Sequence, residues 1–498
     1  MVTTKIEAGL QRALFLPLYA QMITPLWTGF AYKPHQTVGI EWMLERETQL
    51  PCGGIVCDEM GLGKTIEMLG LIKTDKKTTH TLLIAPVAVL NQWADTAKKS
   101  KITVLRPSVT ARHVAWEVDG IDRFKAPKLY IIGYEAARSK HTLLTTFPWD
   151  RLICDEAHRI ASGNTCFELV DLLVARARWL LSATPIVNGI EDLAHLFQIL
   201  GVENPKHVVG NFEALEPVAK KLILARSMDQ LRETISDAPP KYVVNTVKLP
   251  FHTDEEAEFY KGMSGVIVRR WKALDSDGAG ALGKIQLFMK LRQLSLHPQV
   301  YIDARKKALG SNYDRPDWIG DSTKFEAICS KIGSQIGDNG HPHKWIIFCH
   351  FHPEMDLLKN MLEKQSWCRT VSIYSGALNH VEREKVLKAT HKPLPDSNMT
   401  DVILIQLQSG GTGLNLQHFD RIIFTGPWWT RALMEQAIGR AVRIGQTQTV
   451  EIYNFVLMEE EGINIDSKMK ACADEKGDLC AQVLQMACRT ASADNQIP

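Results

Sequence analysis

The chain has 498 residues, more than one hydrophobic core normally absorbs, so two domains with insertions are the starting expectation. Its 45% hydrophobic and 23% charged residues exclude fibrous and disordered classes, and a formal charge of only +2 excludes a global basic field, so any nucleic-acid binding must use a local cleft. Ten cysteines without a C-x-x-C pair give neither a disulfide framework nor a zinc spacing, which points to a reducing compartment and no structural zinc.

Ala13 to Tyr32 carry no charge, but Pro17 and Pro25 would break a spanning helix and Gln21, Thr24 and Thr28 are polar. The segment therefore reads as a packed start of the first lobe, with no membrane partner. In YKPHQ, Gln36 offers an amide suited to an adenine edge. Short apolar runs follow at Ile55 to Cys57, Leu82 to Ala85, Tyr130 to Gly133, Leu152 to Cys154 and Trp179 to Leu181. They are spaced widely enough for crossover helices, the pattern of a buried parallel sheet.

The candidate chemistry lies just after these runs, where open parallel sheets bind ligands. In DEMGLGKT, Asp58 to Thr65, Gly61 and Gly63 let backbone amides approach phosphates, Lys64 reaches the β and γ phosphates, and Thr65 ligates magnesium at a helix start. Asp58 stands where the generic pattern asks for glycine and is counted with the ATP-binding set. In DEAH, Asp155 ends a strand and is placed to hold magnesium, Glu156 is the base for an attacking water, and His158 faces the lobe boundary. In SATP, Ser182 and Thr184 offer small hydroxyls for coupling the nucleotide to a second site.

From about 201 to 299 the pattern turns helical and charged, broken by DAPPK at Asp237 to Lys241 and a loop at Asp275 to Gly283. Asp303 to Ser322, Gly333 to His343 and His391 to Thr400 also read as loops. A second set of apolar runs occupies Trp345 to Cys349, Thr370 to Tyr374, Val402 to Ile405, Ile422 to Thr425 and Ile452 to Val456. Cys349, His350 and His352 continue the first of these and read as a buried strand end, not a metal site. The glycine loop QSGGTGLNL, from Gln408, follows the third run and suits phosphates of ATP or of a nucleic-acid backbone. Gln436, Arg440 and Arg443 sit at offsets 0, 4 and 7, which puts them on one helix face suited to a phosphate presented by the first lobe. The end, ASADNQIP, reads as disordered.

With these residues in order, the chain resembles the SWI/SNF-type branch of superfamily-two DNA translocases. The marks are YKPHQ, DEMGLGKT, LLIAPVAVLNQW, DEAH, LLSATPIVN, LRQLSLHP, GGTGLNL and QAIGRAVRIGQ, and GPWW with LRQ and HP is most similar to the helicase-like transcription factor and post-replication-repair group. Four positions depart from the usual pattern: Gly426 and Gly439 replace Asp, Val442 replaces His and Ala183 replaces Gly. The ten cysteines lack the spacing needed to build the RING insertion common in that group.

The resemblance implies an α/β fold of two tandem RecA-like lobes with helical insertions between them. The expected divisions are a first lobe at 1–200, insertions and linker at 201–300, a second lobe at 301–465 and a partly disordered tail at 466–498. It implies a DNA-dependent ATPase using ATP and Mg2+, which tracks along double-stranded DNA to remodel chromatin or displace bound protein, with nucleosomes as one class of target. Lys64, Asp155, Glu156, Arg440 and Arg443 are the implied catalytic set. Gln36, Asp58, Gly61, Gly63, Lys64, Thr65 and Gln436 are implied to bind ATP. His158, Ser182, Thr184, Gly411 and Gly413 are implied to couple the sites. Asn91, Gln92, Trp93, Ser409, Gly410 and Thr412 are implied to lie near the DNA track. Competing readings are a strand-separating RNA or DNA helicase and an ATP-regulated structural or recruitment factor with impaired hydrolysis. Family usage points to the nucleus, or to the cytoplasm or a viral replication site for a bacterial or viral source.

Overall fold

The computed structural model describes residues 23–109, 114–119, 127–139, 141–276, 281–336, 343–394, 398–407, 414–458 and 464–487. The chain divides into two compact units, 1–238 with 476–498, and 239–475. The division falls within DAPPK, whose paired prolines cannot continue either sheet or helix.

The first unit is built on a sheet of β1 (Gly53–Val56), β2 (His80–Ala85), β3 (Thr103–Val109), β4 (Val114–Val118), β5 (Lys128–Gly133), β6 (Trp149–Asp155), β7 (Ala175–Leu181) and β8 (Ile223–Leu224). Their order is β4-β3-β5-β2-β6-β7-β1-β8, parallel except that β4 runs antiparallel to β3. Successive residues face opposite sides. Leu82 and Ile84 enter one core while Leu83 and Ala85 enter another, so both faces are covered by helices, which is why these strands read as continuous apolar runs. Leu26 is fully buried in the second of these cores, with Trp27, Phe30 and Tyr32 packed against it, so the described part of the uncharged N-terminal segment is lobe packing.

The second unit is built on β9 (Val243–Leu249), β10 (Trp345–Cys349), β11 (Cys368–Tyr374), β12 (Thr400–Gln406), β13 (Arg421–Phe424) and β14 (Glu451–Leu457). Their order is β11-β12-β10-β13-β14-β9. Helices Asp254–Ser276, Ala281–Leu296 and Pro298–Leu309 form a satellite core around Phe259, Leu291 and Tyr301. All ten strands expected from apolar runs are present. The sequence reading did not anticipate β3, β4, β8 and β9. The loop expected from Asp303 is helical as far as Leu309, and the expected tail begins as the helix Ile465–Ala487, with the end, 488–498, lying outside the described residues. Cys480, Val483 and Ala487 of that helix join the first unit's core. Among the described residues no helix is long and apolar enough to cross a membrane.

Candidate active site

β7 lies between β6 and β1, and the register sets Val56 and Asp155 both opposite Leu181. The segments leaving β1, β6 and β7 therefore emerge side by side at the carboxyl edge of the sheet. Those segments carry DEMGLGKT, DEAH and SATP.

Gly61 and Gly63 turn the first segment with φ of +90° and +95°, and a Cβ on Gly63 would stand 2.5 Å from Gln36 Nε2. Gly63 precedes the helix Lys64–Thr74 and gives it no side-chain cap, which leaves the first N–H groups open to another acceptor. Lys64 Nζ donates to the carbonyl of Asp58 at 2.5 Å. Thr65 follows on the first turn. Gln36 braces this turn: its Nε2 donates to Leu62 O at 3.2 Å and its Oε1 accepts from Lys33 N–H at 3.0 Å. The amide expected to meet adenine thus has a donor and an acceptor already engaged within the protein.

The Asp58 side chain faces the interior of the first unit. It is fully buried, and its carboxylate takes Arg226 Nε at 2.9 Å together with Arg226 Nη2. Arg226 Nη2 also reaches Glu67 Oε1 at 2.7 Å, and its Nη1 donates to the carbonyl of His35. The ATP-binding assignment of the Asp58 side chain is corrected for this reason: a carboxylate out of water needs a paired cation, and Arg226 supplies it. Burial, followed by the nearby Asp58 charge, pushes the Glu67 carboxyl well above its ordinary range even beside Arg226. Gly39 allows the approach, since a Cβ there would stand 2.9 Å from Arg226 Nη2.

At the end of β6, Asp155 Oδ1 accepts from the N–H of Glu156 at 2.9 Å and Oδ2 accepts from Trp93 Nε1 at 2.7 Å. Burial, then the charge of Glu156, pushes the Asp155 carboxyl up to about 6. Glu156 takes φ of +53°, a sparsely populated conformation for a residue with a side chain. His158 Nδ1 lies 3.4 Å from Glu156 Oε2 and 3.3 Å from Ser182 Oγ, and Ser182 Oγ donates to the carbonyl of Thr184 at 3.0 Å. Burial lowers His158 to about 4, so it is neutral at pH 7 and links Glu156 to SATP as a dipole, not as a cation. The residues fit ATP with magnesium: a turn of two positive-φ glycines, a lysine resting on a backbone carbonyl, a partly exposed threonine on the first turn of the following helix and a partly exposed carboxylate at the end of β6.

Trp93 is 1% exposed, which corrects its placement on a DNA track: the indole belongs to the core and to Asp155. Asn91 and Gln92 remain exposed on the helix Val87–Lys99, and Arg106 Nη2 donates to Asn91 Oδ1 at 2.9 Å.

In the second unit, Ser409, Gly410, Gly411, Thr412 and Gly413 lie outside the described residues. The arginine segment is not one continuous helix, because the helix Arg431–Ile438 ends before it. Beyond Ile438 the bonding is mixed: Arg440 N–H reaches Ala437 O at 3.2 Å and Ala441 N–H reaches Ile438 O at 3.0 Å, three residues back, while Val442 N–H reaches Ile438 O at 2.9 Å, four residues back. Gln436 and Arg440 are both 6% exposed, and burial lowers the pKa of Arg443. Gln446 holds the turn that follows, its Nε2 donating to Gln417 O at 2.8 Å and Phe419 O at 3.0 Å. Cys349 ends a fully buried β10, and His350 bonds Arg292 Nη2 at 2.7 Å and the carbonyl of Gly426 at 3.1 Å.

The chain matches the SNF2-related domain over residues 35–300, more than half its length, and the helicase conserved C-terminal domain over 323–445. It belongs to the SNF2-related family. Its relatives include a probable global transactivator of Orgyia pseudotsugata multicapsid polyhedrosis virus, 27% identical over 468 residues and matched over 89% of each chain. A putative ATP-dependent helicase/translocase of Bacillus subtilis is 24% identical over 496 residues, which cover 93% of this chain and 50% of that one. The Sulfolobus solfataricus SWI2/SNF2 ATPase core solved in complex with dsDNA is 21% identical over 94% of this chain and 99% of that chain, with a TM-score of 0.39.

Within this SNF2 chain, the sequence marks neither Arg226 nor Glu67, and it gives Gln446 only as the end of QAIGRAVRIGQ. Arg226 follows the apolar run Ile223 to Ala225, and no local motif marks it. Of the departures, Gly426 sits where a Cβ would lie 3.2 Å from Lys324 Nζ, and Lys324, fully buried, pairs instead with Asp466 at 2.6 Å.

Proposed function

We propose that this protein is an ATP-driven motor of SNF2 type that tracks along double-stranded DNA without separating the strands. The observation that supports it most is the shared register of Val56 and Asp155 against Leu181, from which the segments carrying Lys64 and Thr65 and the two carboxylates leave the sheet side by side. Lys64 leaves the Asp58 carbonyl for phosphate oxygens, and Thr65 and Asp155 hold magnesium, which when bound offsets the charge that develops on the phosphates. Glu156 accepts the proton of the attacking water, and Arg440 and Arg443 of the second unit supply guanidinium charge during turnover. Asn91 and Gln92 are exposed donors suited to a phosphate backbone, so binding is salt-sensitive and independent of sequence. Chromatin remodelling or displacement of bound protein, in the nucleus, is the biological role this reading carries.

The test is steady-state ATP hydrolysis with no nucleic acid, single-stranded DNA, duplex DNA or RNA, with Glu156→Gln as the blank. Stimulation by duplex DNA alone is expected. Stimulation by RNA or single strands, or unwinding of a plain duplex, would replace the proposal with a helicase, and absence of turnover would replace it with a structural factor.

A further inference from the structure

The helix Val87–Lys99 buries Leu90, Trp93, Ala94 and Ala97 and exposes Asn91 and Gln92. Its buried indole does not end in the core. The single N–H of Trp93 is given to Asp155 Oδ2 at 2.7 Å, across 62 residues of sequence. The other oxygen of that carboxylate takes the N–H of Glu156 at 2.9 Å, and Tyr134 Oη donates to the main-chain carbonyl of Asp155 at 2.7 Å. One donor therefore comes from the strand end itself and one from a separate helix, and together they set the plane of the carboxylate. The indole is fixed in turn by the apolar cluster of Leu83, Ile131 and Ile153.

We propose that Trp93 is a positioning residue: its indole N–H holds Asp155 in the orientation that binds magnesium with ATP, and so ties the metal site to a helix whose other face is open to a nucleic-acid partner. This rests on the magnesium role proposed for Asp155. A tryptophan that merely filled space would need its ring alone, whereas a positioning residue needs the N–H. Partners of this kind, behind a metal ligand, typically change metal affinity by about 10- to 100-fold.

The experiment titrates a fluorescent ATP analogue into the full chain, with magnesium and with a chelator, for wild type and Trp93→Phe. The expected result is an affinity without magnesium within twofold of wild type, and a magnesium-dependent gain in affinity that is smaller by about 10- to 100-fold. An unchanged gain in Trp93→Phe overturns the proposal, as does an equal loss of affinity with and without magnesium. A wild type that shows no magnesium-dependent gain overturns instead the role of Asp155 on which the proposal stands. Should Trp93→Phe fail to fold, the benzothiophene isostere of tryptophan, introduced by codon suppression, keeps the ring shape, lacks the N–H and is read by the same criteria.

Discussion

Replacing Arg226 by methionine keeps most of the volume and removes the cation shared by two carboxylates. The side chain of Arg226 is 7% exposed and those of Asp58 and Glu67 are 0% exposed, so water cannot substitute for it. Breaking a buried ion pair from one side costs about 3–5 kcal/mol, and in a unit of this size that lowers the melting temperature by about 6–20 °C. The sign with pH follows from Glu67, whose folded pKa is already raised by burial and by Asp58. A carboxyl with a raised folded pKa contributes its full stability below the unfolded value of about 4.3 and loses it as pH rises through the folded value. Without Arg226 the Glu67 carboxyl titrates higher still, so the deficit of Arg226→Met is larger at pH 8 than at pH 5. Scanning calorimetry at the two pH values measures it. A melting temperature within about 2 °C of wild type, or a deficit that grows toward pH 5, would refute the reasoning.

Gly63→Ala places a Cβ 2.5 Å from the Gln36 amide at φ of +95°, and its conformational cost of about 1–2 kcal/mol should leave the fold intact while nucleotide titration shows weakened ATP binding. Gln446→Leu removes the donor shared by the carbonyls of Gln417 and Phe419, and urea unfolding should show a loss of about 1–3 kcal/mol. Arg443→Ala should lower turnover by about 10³- to 10⁵-fold in a single-turnover assay with ATP affinity near wild type; an equal loss in both would mean that the side chain serves the fold or ground-state binding instead.

The strands were legible where both faces are buried. β1, β2, β5, β6, β7, β10, β12, β13 and β14 announce themselves as apolar runs because neighbouring residues enter two different cores, and the half-exposed edge strand β11 shows through its β-branched Thr370, Val371 and Ile373. The unforeseen strands are very short, exposed at an edge or interrupted by polar residues. β8 has two residues, β9 exposes Val243 and Val244 at a sheet edge, and the β3–β4 ribbon carries Arg106, Pro107 and Ser108. Trp93 differs, because its burial is legible in the sequence. Leu90, Trp93, Ala94 and Ala97 stand at offsets 0, 3, 4 and 7, the apolar stripe of a helix, so periodicity alone turns Trp93 inward and Asn91 and Gln92 outward. Successive helical residues are separated by roughly 100°, so Asn91, Gln92 and Trp93 do not share one destination.

Asp58 is the contrary case, in which no local rule helps. Motif spacing brings Gly61, Gly63, Lys64 and Thr65 to one turn because each acts through backbone shape or a reach of a few residues, and an acidic residue at the head of that turn is chemically ambiguous. What settles its role is Arg226, 168 positions later, delivered by the short edge strand β8 whose Leu224 carbonyl takes the N–H of Cys57 at 2.7 Å. Two consequences follow from that one pairing. The loop carries a fixed, neutralised acid at its base in place of a charge facing phosphate, and Lys64 is left to the Asp58 backbone carbonyl, a weaker partner than a carboxylate and one that a phosphate readily displaces. The same arginine that stiffens the loop therefore keeps the Asp58 side chain from capturing the lysine on which the proposed chemistry depends.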